Sequence, residues 1–329
     1  MKKICLFGAF LMAFLVISCV GLADNGKTIL KLGHVEVPDP NADCVHYASL
    51  AFAQYVNSKS NDIQIQIYPN SQLGGESEEL QSLQMGVIDL RCGGTAIMSS
   101  FVKQFGVLDL PFLWKNYNQF HKAIDGPVGA QLAALAEKSN IKVLSWFDSW
   151  GYRNVLTSKT INTADDLKGL KIRCIETPTN IAAMKLMGAN PTPLAFGEIY
   201  TAFQSGVIDG MEQCAPVLFS NKFYEVAKNV AVTEHLFGPL CFNMSIQTWN
   251  KLSDQDKKII LAGAKFAADK ERSLTPIKEK QAFEALKKQG VKIVKIDTSK
   301  FAKAAIDYQN SYAKQIGVTD LLNSIRKIK

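Results

Sequence analysis

Arg173 is the residue whose type and place most directly suggest chemistry. It closes Gly169-Leu170-Lys171-Ile172-Arg173, where Leu170 and Ile172 alternate with two cations as in a strand with one buried face. That puts Arg173 near the C-terminal end of a strand, where open α/β sheets place their ligands. A guanidinium there offers paired donors at a fixed angle that match the two oxygens of a carboxylate, which the point charge of a lysine does not. The residue types alone fit a surface arginine on an edge strand equally well. Arg153, in Trp150-Gly151-Tyr152-Arg153, opens another strand and is either a second grip on an anion or the partner of a surface acid. Gln213 carries amide donors and an acceptor. Glu76 follows the Gln72-Leu73-Gly74-Gly75 turn, and could accept from ligand hydroxyls or sit as a solvated carboxylate at a helix start. Trp150 and Phe112 are candidate pocket walls, Phe112 being also a core candidate.

The elements that must position these groups alternate between strand and helix. Ile29–Val35 and Ile63–Ile67 read as strands, with helices over 43–58 and 77–85 and a strand at 87–90. Such alternation predicts parallel sheets with helices on their faces. Leu83-Gln84-Met85-Gly86-Val87-Ile88-Asp89 is echoed by Phe203-Gln204-Ser205-Gly206-Val207-Ile208-Asp209, in each case a helix stopped by glycine and a short apolar strand ending in aspartate. The echo predicts two similar lobes with a ligand cleft between them. The chain is expected to pass between lobes near Ser149–Arg153 and to return near Pro239. A helix from Ser253 to about Gln289, containing Pro276, is long enough to brace both lobes, with a kink expected at the proline. The end of the chain, Ile325–Lys329, reads as polar and frayed. The expected fold is therefore α/β, two-lobed, with mixed sheets flanked by helices: a signal over 1–23, one lobe from 24–150 plus 239–278, the other from 151–238 plus 279–329.

Gly-Leu-Lys-Ile-Arg (169–173), Gly-Ala-Asn-Pro-Thr-Pro (188–193) and Glu-Ile-Tyr-Thr-Ala-Phe-Gln-Ser-Gly-Val-Ile-Asp-Gly (198–210) together resemble the substrate-binding proteins of TRAP (tripartite ATP-independent periplasmic) transporters. The resemblance runs from about Ile29 to the C-terminal helix. It implies a two-lobed receptor that closes on a small organic-acid anion and hands it to TRAP membrane subunits, with no cofactor and no catalytic residue. Residue by residue, it implies that Arg173 grips the ligand carboxylate and that Arg153 also faces the ligand. Glu198 and Tyr200 fall in a family motif, where they either serve the site or brace the lobe. Gln213 stands where the family usually has Asn in Asp-Gly-x-Glu-Asn, a departure that withholds any relative's particular ligand. C4-dicarboxylates, sialic acids, hexuronates and keto acids remain open.

Composition limits the alternatives. The chain has 329 residues, 47% hydrophobic and 20% charged, an ordinary globular balance that can bury a core. Its net charge of +7 is not gathered into basic runs interleaved with aromatics, which argues against nucleic acid. Lys2 and Lys3, the apolar stretch Leu6–Val20 and the small residues Gly21 and Ala23 form an export signal with cleavage expected before Asp24, which places the protein in the periplasm; a monomer is expected, with the oligomeric state left open. The apolar run is short of the roughly 20 residues that span a bilayer. Val16-Ile17-Ser18-Cys19 offers lipid anchoring at Cys19 as the lesser route. Five cysteines follow the cleavage point at irregular spacing, against a disulfide framework or a zinc site, although Cys174 with Cys214 is a conceivable pair. The four histidines have no partners at metal spacing, and no Gly-x-Ser-x-Gly, P-loop or dinucleotide fingerprint occurs. The alternatives kept are an ABC-type receptor and a cysteine-dependent hydrolase.

Overall fold

The computed structural model describes residues 26–329; the expected signal over 1–23, with Cys19, lies outside them. Eleven strands are found among the described residues: β1 (Thr28–Gly33), β2 (Ile63–Tyr68), β3 (Leu90–Gly94), β4 (Ile141–Phe147), β5 (Arg153–Thr157), β6 (Lys171–Cys174), β7 (Asn190–Pro193), β8 (Gly210–Cys214), β9 (Asn229–Leu236), β10 (Leu240–Ser245) and β11 (Lys292–Lys295). They form two sheets, ordered β2-β1-β3-β10-β4 and β11-β9-β5-β8-β6-β7. Most neighbours run parallel, as the alternation with helices requires. The strands next to the two crossings do not. β10 runs antiparallel to β3 and β4, and β5 antiparallel to β8 and β9, so both sheets are mixed. A strand entering from the other sheet arrives at the end its neighbours leave from, and so runs against them.

The sequence echo corresponds to one structural unit used twice. Gly86 and Gly206 end their helices at φ +72° and +71°, where a side chain would be strained. Asp89 then accepts the Lys31 amide at 2.8 Å, and Asp209 accepts the Lys171 amide at 2.9 Å, each pinning the neighbouring parallel strand. The register agrees: Leu32 lies opposite Leu90 and Ile172 opposite Gly210. Arg173 in the second unit therefore stands where the first has Gly33. Gly210 is obligatory in a different sense, since a Cβ there would lie 2.6 Å from the Leu156 carbonyl oxygen.

Each sheet is packed on both faces. Leu30, Leu32, Phe52 and Phe242 lie in one core beside the first sheet and Leu80, Phe105, Phe120 and Ile141 in another. Ile172, Ala183 and Met184 lie on one side of the second sheet, and Leu156, Met211 and Leu218 on the other. One helix, Asp254–Lys288, runs unbroken through Pro276. Its Ile260 and Ala264 sit in the first sheet's core, whereas Ala282 and Leu286 sit in the second's. The same helix fastens the first crossing. Glu271 accepts the amides of Asp148 and Trp150 at 3.0 and 3.3 Å, and Glu279 accepts that of Tyr152 at 3.1 Å. Between them Ser149, Trp150 and Gly151 all have positive φ, so the chain turns there in a conformation that only these anchors and its packing maintain.

Three expectations change. The helix expected over 117–139 is two, Tyr117–Ile124 and Pro127–Glu137, broken where Pro127 resets the chain. The C-terminal end is not frayed: Thr319–Lys327 is a helix whose Leu322 and Ile325 are buried in the first sheet's core. The terminal segment is accordingly divided, with Phe301 in the core of the second sheet and Tyr312, Ala313 and Ile316 in that of the first.

Candidate functional site

The C-terminal ends of β1 and β3 in one sheet and of β6 and β8 in the other face a common cleft. Its inner cavity, about 40 Å³, is lined by Glu36 and Gly93 from the first lobe and by Arg153, Arg173, Asn180 and Gln213 from the second. An outer cavity of about 370 Å³ shares Val35, Glu76, Arg173, Ile175 and Phe196 with it. Arg173 thus stands between the two chambers and borders both.

Arg173 is 2% exposed. Its Nε and Nη2 donate to the Leu194 carbonyl oxygen, just past β7, at 2.9 and 2.7 Å. Two donors to one acceptor fix the guanidinium plane, and Nη1 has no hydrogen-bond partner among the described residues. Burial lowers the arginine's pKa and Glu212 opposes the shift, but an arginine remains charged throughout the working range. A buried, oriented cation with an uncommitted donor is what an anion site requires.

Arg153 is used differently. Nε and Nη2 donate to the Glu212 carboxylate, Nη2–Oε1 being 2.8 Å; Nη2 also reaches the Glu212 carbonyl oxygen at 3.0 Å, and Nη1 donates to Gln213 Oε1 at 2.7 Å. The pairing follows from the sheet, because Arg153 lies opposite Cys214 and the side chains of β8 alternate beside it. Its acid is therefore buried Glu212 rather than a surface carboxylate. Burial disfavours both charges, yet the pair overcomes it: Glu212 is held at about 2 and Arg153 stays above the ordinary arginine value. Gln213 borders the inner cavity, with its Oε1 taken by Arg153 and by the Cys214 amide at 3.0 Å.

Glu76 borders both chambers and bonds Arg91 Nη2 at 3.0 Å. Arg91 and Glu79 lie behind it, fully buried and 3.6 Å apart. The structure does not bring Trp150 or Glu198 to this cleft. Trp150 is fully buried against Tyr47, 5.8 Å between ring centroids, and lines a separate cavity with Asn41, Pro216 and Lys278. Glu198 is exposed and accepts the Ala195 amide at 3.1 Å, bracing a tight turn; Tyr200 bonds Glu225 at 3.0 Å. Phe196, from the same stretch, supplies an apolar wall instead. Phe112 packs beside the second sheet's core. Cys174 and Cys214 are separate buried thiols, each pushed up to about 12 chiefly by burial, which suppresses the reactive thiolate.

Sequence reasoning missed Glu36, Asp109 and Asn180 as cavity walls. Their signal was weak: Glu36 and Asn180 lie a few residues beyond β1 and β6, where such sites collect, but nothing in their local spacing distinguishes them.

Buried acids give the protein a pH signature. Burial raises Glu79 to about 8 despite Arg91, and Asp109 to about 7 despite the Thr95 hydroxyl it accepts at 2.8 Å. The unfolded chain loses these protons near pH 4, so the folded state holds more protons and stability falls as pH rises, until about 7 for Asp109 and about 8 for Glu79. His34 acts oppositely: burial lowers it to about 3, so its contribution to stability grows up to the unfolded value of 6.5 and is then complete. Between pH 6.5 and 8 only the carboxylate effect remains, and stability should drop by on the order of 2 kcal/mol. Denaturant unfolding at the two pH values tests this, and a flat or rising stability would show that these acids are ionised in the folded protein.

Two α/β lobes around one polar cleft, joined by crossing strands and braced by a single helix, define a solute receptor. Comparison with known proteins agrees. The family described as bacterial extracellular solute-binding protein, family 7 (DctP) matches residues 34–316. The 2,3-diketo-L-gulonate-binding periplasmic protein YiaO of Escherichia coli is 30% identical over 292 residues, 87% of this chain and 89% of that protein. A TRAP periplasmic solute-binding protein from Polaromonas, solved with D-erythronate, has a TM-score of 0.87 at 33% identity, covering 92% of this chain and 99% of the other. One from Sulfitobacter, solved with β-D-galacturonate, has a TM-score of 0.86 at 29% identity, covering 91% and 99%. The chain belongs to solute-binding protein family 7 and is a TRAP-type solute receptor.

Proposed function

We propose that this receptor binds a small organic-acid anion in the interlobe cleft, closes over it and delivers it to a TRAP membrane permease from the periplasm, without catalysis. The lobes are taken as 24–150 with 239–278 and 151–238 with 279–329, the chain from Tyr312 onward returning to pack on the first lobe. The observation that carries the reading is the buried Arg173 guanidinium at the junction of the two chambers, held by Leu194 and keeping one free donor. Arg153 helps indirectly, since its charge is already balanced by Glu212 and it orients Gln213 toward the cavity. The ligands named for the relatives, 2,3-diketo-L-gulonate, D-erythronate and galacturonate, are all carboxylic acids, in keeping with one guanidinium reading one carboxylate. Raised thiol pKa values at Cys174 and Cys214 disfavour the hydrolase alternative.

A ligand that binds only the native state raises its melting point. A thermal-shift screen over sugar acids, keto acids and dicarboxylates should return at least one organic acid that stabilises the protein, with neutral sugars giving no shift. Stabilisation by neutral sugars alone would overturn the reading.

A further inference from the structure

The cleft leaves Trp150 unused. Its indole is fully buried, and Nε1 has no hydrogen-bond partner among the described residues. A buried tryptophan N–H usually finds an acceptor, and leaving it without one costs free energy that a ligand oxygen would restore. The same indole lines a cavity of about 160 Å³ that shares no residue with either chamber of the cleft. We propose that this cavity is a second small-molecule site, taking an apolar body of benzene size that carries one carboxylate. The size follows from the volume, since an apolar cavity of roughly 150 Å³ binds benzene. The apolar body follows from the walls, where Ala42, Pro216, Phe219, Ala282 and Ala285 face the space. A polyhydroxylated acid would leave its hydroxyls unpaired against them.

Lys278 sets the sign of the charge. Its Nζ donates to the Asn41 carbonyl oxygen at 2.6 Å and lies 5.1 Å from the centre of the Trp150 ring. An ammonium has three donors, and this bond spends one of them. No carboxylate lines the cavity, and Lys278 forms no ion pair among the described residues. A cation with donors to spare thus lies against an indole whose own donor is unspent, and a carboxylate answers both. The position follows from the fold. Ser149 and Val217 line the cleft's inner chamber, whereas their neighbours Trp150 and Pro216 line this cavity. The crossing and the helix Ala215–Ser220 therefore each show one residue to the cleft and the next to the second cavity. The long helix closes it with Lys278, Ala282 and Ala285, and the loop after β1 with Asn41 and Ala42.

The test uses benzoate as the probe and the indole N–H signals of the four tryptophans as the readout, by nuclear magnetic resonance on the mature protein. The Trp150 signal, assigned by its loss in Trp150→Phe, should move saturably at millimolar benzoate. Ala285→Phe, which puts bulk into the cavity from a half-buried helix position, should weaken benzoate at least tenfold. Benzamide, of the same shape without the charge, should bind the wild type at least fivefold more weakly than benzoate, and Lys278→Met should lose that preference, a coupling that a merely structural role does not produce. Arg173→Ala should bind benzoate as the wild type does, which separates this cavity from the cleft. Loss of benzoate binding in folded Arg173→Ala would place the probe in the cleft and overturn the proposal. An unmoved Trp150 signal, unchanged affinity in Ala285→Phe, or benzamide binding as tightly as benzoate would each overturn it as well.

Discussion

Arg173→Ala should weaken binding of the cognate organic acid at least tenfold, about 1.4 kcal/mol, in a protein that remains folded. The side chain already makes its structural bonds to the Leu194 carbonyl with two nitrogens, so its third is positioned before any ligand arrives. A ligand carboxylate meeting it gains a charge-assisted bond worth roughly 1.5–3 kcal/mol without ordering a flexible side chain. Arg173→Lys should recover little of this, because an ammonium cannot hold Leu194 with a planar fork and present a further donor in the same plane. Calorimetry on both variants checks the expectation, with circular dichroism to confirm the fold. Wild-type affinity in folded Arg173→Ala would remove this residue from the site.

Glu212→Gln should instead act on stability, with a loss of roughly 3–5 kcal/mol. Glu212 is fully buried and answers Arg153 through both carboxylate oxygens. The amide removes the negative charge and leaves a guanidinium in the protein interior, which is the costly state for a buried pair. Replacing both partners, as in Arg153→Met with Glu212→Leu, should return much of the loss, since neither charge then remains to be desolvated. Urea unfolding of the single and double variants distinguishes the two cases. A single variant within about 1 kcal/mol of wild type would mean that Arg153 finds another anion and that the pair does not stabilise the cleft.

The cleft's two arginines look alike in the sequence and differ in use. Each sits in a strand beside a glycine-containing motif, and each fits an anion grip or an ion pair. Both strands border β8, one on each side, and what separates the arginines is the side chain each meets: Arg153 reaches Glu212 and Gln213, whereas Arg173, between β8 and β7, bonds only the Leu194 carbonyl just past β7. Trp150 was readable as an aromatic near a crossing but not as a residue turned away from the cleft. Its orientation depends on the positive φ values at 149–151 and on Glu271 in a helix more than a hundred residues away.

The repeated helix-glycine-strand-aspartate unit, the long helix through Pro276 and the place of Arg173 at a strand end are legible in the residues themselves. These features are local: period-two and period-3.6 patterns, glycine stops and an aspartate at a fixed offset act within a few residues. Only the tertiary structure decided which charges in the cleft are spent and which are free. Arg153 is neutralised from 59 residues away, Arg91 holds Glu76 from 15 away, and Glu36 and Asn180, from different lobes, line one cavity. Ionisation of a buried group depends on what surrounds it in space, and no local spacing along a chain encodes that.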